Sequence, residues 1–485
     1  MSTHSCVIAP HLKDSLSTAD TGKYGRMFSH LPALETDEEY LLALGRAGSI
    51  MDVDSNQDGH MGAINHAFPT AWHAVQDEVR LVVGQSENEP RAPTDNPRIA
   101  AGFPVFGQFI AHDITADRSL LLHHARLQEL RNFRTPRLDL ECLYGAGPTG
   151  DPHLYDMDDL DKFLLGVNDA GNMDDLPRNR QGRALVGDPR NDVHLIISQL
   201  HLAFLKFHNH VVDWLREEGM PSSEVFNEAR RLVRWHYQWI IVHEFLPLSV
   251  GEVLVDDILT NGLRYYPYDG NTFIPVEFAD AAYRFGHSQI RSLYTLNDSG
   301  AKGNVFPDCA GTCPVLHDRV IDWSYFFEVG GDKKPQASKK IDTSLAHSLI
   351  NLPDSVVGKT EIPEQHSLAY RDLERGLALD LPSGETISRA MGVEPLTLEE
   401  VDLNKLGYRG ETPLFYYILK EAEVRYRGEH LGEVGGRIVA EVLLALLDSD
   451  ATSYRNIDTE WVPTLPGARE GDFTIADLLQ FAHTA

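Results

Sequence analysis

The sequence predicts a mainly α-helical protein organised as one large domain, and three observations carry that reading. Its long apolar stretches repeat every three or four residues, as the buried stripe of a helix does. Alternating apolar and polar runs, the mark of half-buried strands, are scarce. Neither an internal repeat nor a low-complexity linker divides the 485 residues.

Taken in order, residues 1–100 are rich in turns and charge and read as an N-terminal extension packing on the core, with one helical stretch around Glu38 to Ser49. Asp54, Asn56, Asp58 and Gly59 imitate the start of an EF-hand loop. Its twelfth position is Asn65, where a bidentate Glu is required, so a solvated turn is expected. From Phe103 onward helices dominate. The clearest patterns are VHLIISQLHLAFLKFHNHVVDWL from Val193, ARRLVRWHYQWIIVHEFL from Ala229, FADAAYRFGHSQIRSLY from Phe278 and GRIVAEVLLALLDSD from Gly436. Residues 295–340 and 350–366 mix Gly, Pro, Asp and Lys irregularly and read as loops.

Composition narrows the function classes. A hydrophobic fraction of 42% and a charged fraction of 24% are those of a soluble globular protein. A net charge of -29 argues against a nucleic-acid or anionic-membrane partner, because both would repel it. The start, MSTHSCVIAPHLKDSLS, has no basic segment followed by an apolar core, and no apolar run reaches about 18 residues. The expectation is therefore a cytoplasmic protein without a membrane span. Cys6, Cys142, Cys309 and Cys313 are too few for a disulfide framework, and Cys309 and Cys313 read as two unremarkable thiols.

Chemistry concentrates in five blocks. In FPVFGQFIAHDIT, residues 103–115, Gln108 and His112 share one helix face while Asp113 is turned about 100° away. One short helix thus offers an imidazole to one site and a carboxylate to another. TPRLDLECLYG follows at 135, GDPRNDVHLIISQLHLAFLKFHNH at 187, AAYRFGHSQIR at 281 and DLERGLALDLP at 372. In this order, over roughly residues 100 to 385, the blocks resemble the animal-type haem peroxidases, the peroxidase–cyclooxygenase superfamily that includes myeloperoxidase and bacterial relatives.

The resemblance implies a single helical domain of that type, a catalytic domain over 101–485, and haem buried between a distal and a proximal helix. His112 matches the distal histidine, which takes a proton from one peroxide oxygen and returns it to the other. Arg190 matches the distal arginine, and Gln108 the position that meets halide and water. Without the resemblance, Arg190 reads as a helix-flanking arginine paired with Asp188 or Asp192. His287 matches the proximal haem ligand, and Asp372 stands where Asn is common as acceptor of its other ring N–H. A carboxylate there should lower the ferric/ferrous potential. Arg375 matches the arginine that pairs a haem propionate, and Arg284 lies beside the cofactor three residues before His287. Calcium is implied as well, at Asp113, Thr135, the carbonyl of Arg137, Asp139, and Glu141 where Ser is common.

Some positions depart from the family. Its haem-ester carboxylates fall on Ala111 and Val193, and the sulfonium-forming Met on His194, so non-covalent haem b is expected. His194 and Asp192 stay as unexplained pocket-edge candidates. No chemistry is assigned to His201, His208, His210 or His243, the last in an HEFLP that lacks the second histidine of a zinc-protease motif.

The resemblance implies a peroxidase that uses hydrogen peroxide and, through a ferryl intermediate, oxidises a small phenolic donor or a halide. The alternative is a haem-dependent fatty-acid or aromatic-metabolite oxygenase. That branch places a radical Tyr three residues before the proximal His, where this chain has Arg284, with Tyr283 one step earlier. A haem-binding scaffold without turnover is a third class, and the joint presence of His112, Arg190 and His287 argues against it.

Overall fold

The computed structural model describes residues 24–36, 42, 44–52, 94–116, 130–267, 272–311, 314–403, 408 and 410–483. Helices dominate among them, and strands are confined to three two-stranded pairs. Seven of the helices build much of the core: α1 Phe103–Ile114, α2 Leu195–Glu217, α3 Ser222–Ile240, α4 Leu368–Ala378, α5 Leu414–Tyr426, α6 Glu433–Ser449 and α7 Ile475–His483.

Helix α1 starts with Pro104 in its first turn, where a missing N–H leaves no bond unmade. It stops at extended Thr115, whose hydroxyl donates to the carbonyl of Ala111 at 2.7 Å. Phe103, Phe106, Phe109, Ile110 and Ile114 sink into the core. There Phe109 stacks on Phe204 of α2 with ring centroids 4.5 Å apart and meets Tyr237 of α3 edge-on. Helix α7 packs on α2 through Phe481 against Phe207. Helix α6, apolar from Val434 to Leu447 apart from Gly435, Gly436, Arg437 and Glu441, is buried nearly all round, as a central core helix must be.

Tyr24–Gly25 pairs in parallel with Ile274–Pro275, and Asp95–Ala100 pairs antiparallel with Ala337–Lys339. The amides of Met27 and Phe28 both donate to the buried carboxylate of Glu277. Of the stretch expected to be helical around Glu38 to Ser49, Leu42 and Leu44 are helical and residues 45–50 form turns. The EF-hand-like residues, Cys6 and Cys313 lie outside the described residues, while Cys142 and Cys309 are free buried thiols. Among the described residues no helix is long and apolar enough to cross a membrane.

One element differs from expectation. The stretch from Phe278 is not one α-helix but a single α-turn, Val276–Ala279, a break at Ala281, and a 3-10 helix, Ala282–Gln289. A 3-10 helix has three residues per turn, so side chains three apart eclipse one another. Arg284 and His287 therefore project to the same side, and an eight-residue apolar pattern cannot distinguish that winding from 3.6.

Candidate active site

On α1, His112 is buried and its Nδ1 lies 2.7 Å from Oδ1 of Asn191. The amide nitrogen of Asn191 lies 2.9 Å from Nδ1 of His201, one helix further in. Burial and the charge of Arg190 pull the His112 imidazole down to about 3, so it is neutral at ordinary pH. Gln108, four residues earlier, is exposed on the same face.

Arg190 sits in the 3-10 turn Pro189–Asp192 that precedes α2. Its guanidinium donates to Asp188 at 2.9 Å and 3.0 Å and to the carbonyls of His112 and Thr115 at the end of α1. A cation there also meets the negative end of the helix dipole. Burial alone would raise the Asp188 carboxyl, but the hydrogen bond and charge of Arg190, with the charge of Arg134, hold it well below the carboxylate range. Arg190 thus acts on His112 through its charge, from the end of the helix.

The second imidazole is set differently. Nδ1 of His287 lies 2.6 Å from Oδ2 of Asp372 on α4, and Arg284 donates to Oδ1 of the same carboxylate at 3.2 Å. The 3-10 winding makes this possible, since residues 284 and 287 must eclipse to share one acceptor. Against the cost of burial, the charges of His287 and Arg284 hold Asp372 below the usual carboxylate range. Arg284 and Arg375 also donate to Asp280, at 3.2 Å and 2.9 Å, and burial with the charge of Arg375 lowers Arg371. Three guanidiniums therefore crowd around two carboxylates. The two imidazole-bearing elements touch where the hydroxyl of Tyr283 donates to the carbonyl of Gly107 at 3.2 Å. A Cβ on Gly107 would press on the Phe245 ring at 3.2 Å, so the close approach needs glycine.

This donor set fits a haem. Each imidazole is tied through Nδ1, which leaves Nε2 of His287 as the atom able to ligate, and the guanidiniums of Arg284, Arg371 and Arg375 suit propionates. The Nε of Arg284 is buried without a hydrogen-bond partner, and a Cβ on Gly286, beside His287, would enter open space.

Comparison with known proteins agrees. A sequence profile of the animal haem peroxidase family matches residues 118–308, a span that includes Arg190 and His287. Over that span the chain is similar to the animal haem peroxidase family. Chorion peroxidase of Aedes aegypti is 23% identical over 313 residues, covering 61% of this chain and 38% of that protein. The chain spans no more than 38% of the length of the first curated relatives it matches. Among solved structures, peroxidase A of Dictyostelium discoideum is similar with a TM-score of 0.55 at 16% identity, covering 82% of this chain and 86% of that one. A fatty acid alpha-dioxygenase of Oryza sativa is similar with a TM-score of 0.56 at 15% identity, covering 84% and 77%. These likenesses establish the peroxidase–cyclooxygenase fold.

In this chain the loop expected to hold calcium wraps Asp113. Leu140 adopts a left-handed φ of 60°, which turns its amide and that of Cys142 onto the Asp113 carboxylate at 3.0 Å and 3.4 Å. Glu141 accepts from Arg134 and from the amide of Thr135, and the amide of Arg137 donates to the carbonyl of Thr135. Burial and then Asp139 push Asp113 well up; burial and then Glu141 push Asp139 to about 6. The charge suits a cation, and the expected set also draws on the Thr135 hydroxyl and the Arg137 carbonyl. Among the described residues no three His, Cys, Asp or Glu side chains are arranged to enclose a metal.

The pocket-edge candidates find structural partners. His194 caps α2, accepting from the amide of Ile196 and donating to the carbonyl of Val305, and Asp192 takes a two-pronged bond from Arg178 at 2.8 Å and 2.9 Å. His208 bonds Tyr144 and the carbonyl of Asp161, His210 the carbonyl of Phe481, and His243 stacks on Trp239. Sequence reasoning passed over Asn191, Asp280 and Arg134, the last joining Asp188 to Glu141 across the distal side. All three lie inside or beside the five sequence blocks, but no spacing rule marks a side chain that acts through another.

Proposed function

We propose that the protein is a haem peroxidase that reduces hydrogen peroxide and oxidises a small aromatic donor or a halide. One observation carries this reading: a buried, neutral His112 tied through Nδ1, on a helix touching the segment whose His287 is tied through Nδ1 to a carboxylate. Bound haem would supply the redox-active iron at which the peroxide bond is broken. His287 would ligate it through Nε2 with Asp372 fixing the ring, and Arg284, Arg371 and Arg375 would hold its carboxylates. Attachment without covalent bonds is supported by Ala111 and exposed Val193 at the ester positions, neither of which carries a carboxylate.

His112 is the acid–base group. Its Nε2 takes the proton from one peroxide oxygen and returns it to the other as the O–O bond breaks. Burial, with the charge of Arg190, keeps the imidazole neutral between turnovers, and exposed Gln108 offers an amide to water, halide or donor. The oxygenase alternative needs a radical tyrosine. Tyr283 instead commits its hydroxyl to Gly107, and Arg284 holds the position such a tyrosine would take.

Stopped-flow mixing of haem-loaded protein with peroxide, followed at the Soret band, tests the reading. Rapid change in the wild type, slowed roughly 10² to 10⁴-fold in His112→Ala, is the expected result. A Soret band indifferent to peroxide, with oxygen uptake on unsaturated fatty acids, would replace it with the oxygenase.

A further inference from the structure

Asn191 and His201 touch neither peroxide nor haem in the proposed function, yet both are buried directly behind His112. A side-chain amide has one oxygen that accepts and one nitrogen that donates, and the two cannot exchange roles. The oxygen of Asn191 faces Nδ1 of His112 at 2.7 Å, and its nitrogen faces Nδ1 of His201 at 2.9 Å. With the amide in this orientation Nδ1 of His112 carries a hydrogen and Nδ1 of His201 a lone pair. The backbone N–H of Asn191 donates to the carbonyl of Asp188 at 3.1 Å in the turn before α2, and His201 is set edge-on against Phe109.

We propose that Asn191 and His201 are positioning residues that hold His112 in the tautomer protonated on Nδ1, leaving Nε2 bare toward the peroxide site. The proposal deepens the acid–base reading of His112 and rests on it. In the other tautomer Nε2 carries hydrogen and cannot accept a proton, so the relay decides whether the residue begins as a base. It also decides which proton is returned. When Nε2 takes the peroxide proton, the imidazolium bears two hydrogens, and the neutral amide oxygen cannot remove the one on Nδ1. The proton handed to the second peroxide oxygen is then the one just taken, and His112 ends as it began.

A purely structural role would have Asn191 only tie α1 to α2. The two roles differ in a readout that activity does not supply. Long-range proton–nitrogen correlation NMR on the full chain, labelled with ¹⁵N at histidine and assigned through His112→Gln and His201→Gln, reads which ring nitrogen of His112 carries hydrogen. The wild type is expected to show Nδ1–H alone, Asn191→Ala a mixture, and Asn191→Asp, which can still accept, Nδ1–H again. With haem added, the peroxide rate should fall roughly 10- to 100-fold in Asn191→Ala, the usual scale for a group that orients a working imidazole, and recover in Asn191→Asp. His201→Phe, which frees the amide to turn, should also give a mixture and covers the case in which Asn191→Ala fails to fold.

An Nε2–H tautomer in the wild type, or an unchanged tautomer in Asn191→Ala and His201→Phe, overturns the proposal while His112→Ala still loses its rate. An Nδ1–H tautomer in a haem-loaded protein inert to peroxide instead overturns the acid–base reading on which the proposal rests.

Discussion

Two imidazoles in this protein are held by the same ring atom against different chemistry. Nδ1 of His112 meets an amide oxygen at 2.7 Å, whereas Nδ1 of His287 meets a carboxylate at 2.6 Å. The amide orients its ring without charge, and in a buried site beside Arg190 that leaves a neutral imidazole able to take and release a proton. The carboxylate adds a full charge and pulls on the N–H, which makes the opposite nitrogen a stronger donor to a metal. In the proposed function the partner atom, not the histidine, divides the labour: proton exchange on one side, ligation on the other.

The largest effect that would break this division is loss of the ligand. His287→Ala should lose haem on gel filtration, read as the Soret absorbance remaining with the protein. His112→Ala should keep its haem and lose roughly 10² to 10⁴ in peroxide rate, so the pair separates binding from chemistry. If both variants lost haem alike, the comparison would fail.

Asp372→Asn sharpens it by giving His287 an amide like that of His112. The ferric/ferrous potential should rise, on the order of 59 mV for a tenfold shift in a one-electron couple, measured by redox titration. An unchanged potential would remove the carboxylate from the account.

The buried class of imidazole predicts an acid response. His208 and His236 are each pulled down to about 4 by burial, against about 6.5 when unfolded. Because the folded value is the depressed one, the unfolded chain takes up protons first as pH falls. Stability is full above pH 6.5 and is lost between 6.5 and 4. Each should cost about 2 kcal/mol at pH 5, and His208→Gln should flatten the urea midpoint against pH accordingly.

Calcium, which we propose for the loop around Asp113 because Asp139 and Glu141 crowd it with charge, is expected to act on stability alone. Added Ca²⁺ at a hundred times its dissociation constant would stabilise by about 2.7 kcal/mol, read as a raised Tm. Asp113→Asn should abolish the rise.

Much of this site was legible before any fold was seen. His112 and Gln108 lie four apart in a helical pattern, and the block order carried His287, Arg190 and Asp372 with it. The pairing of Arg190 with Asp188 was one of two open to the sequence; its further bonds to the carbonyls of His112 and Thr115 were not legible, because they depend on where the end of α1 sits. Nor was the 3-10 winding of Ala282–Gln289, which follows from two bonds to Asp372 that are 85 and 88 residues away in the chain.

The sequence by itself determined the helical class, through apolar periodicity, and the identity of the groups able to move protons or ligate a metal, through residue type and order. Only the tertiary structure decided what stands behind each imidazole. Asn191 reaches His112 across 79 residues and His201 meets Asn191 from the next helix, and a hydrogen-bond donor and acceptor recognise each other by distance and angle, which a one-dimensional pattern does not contain.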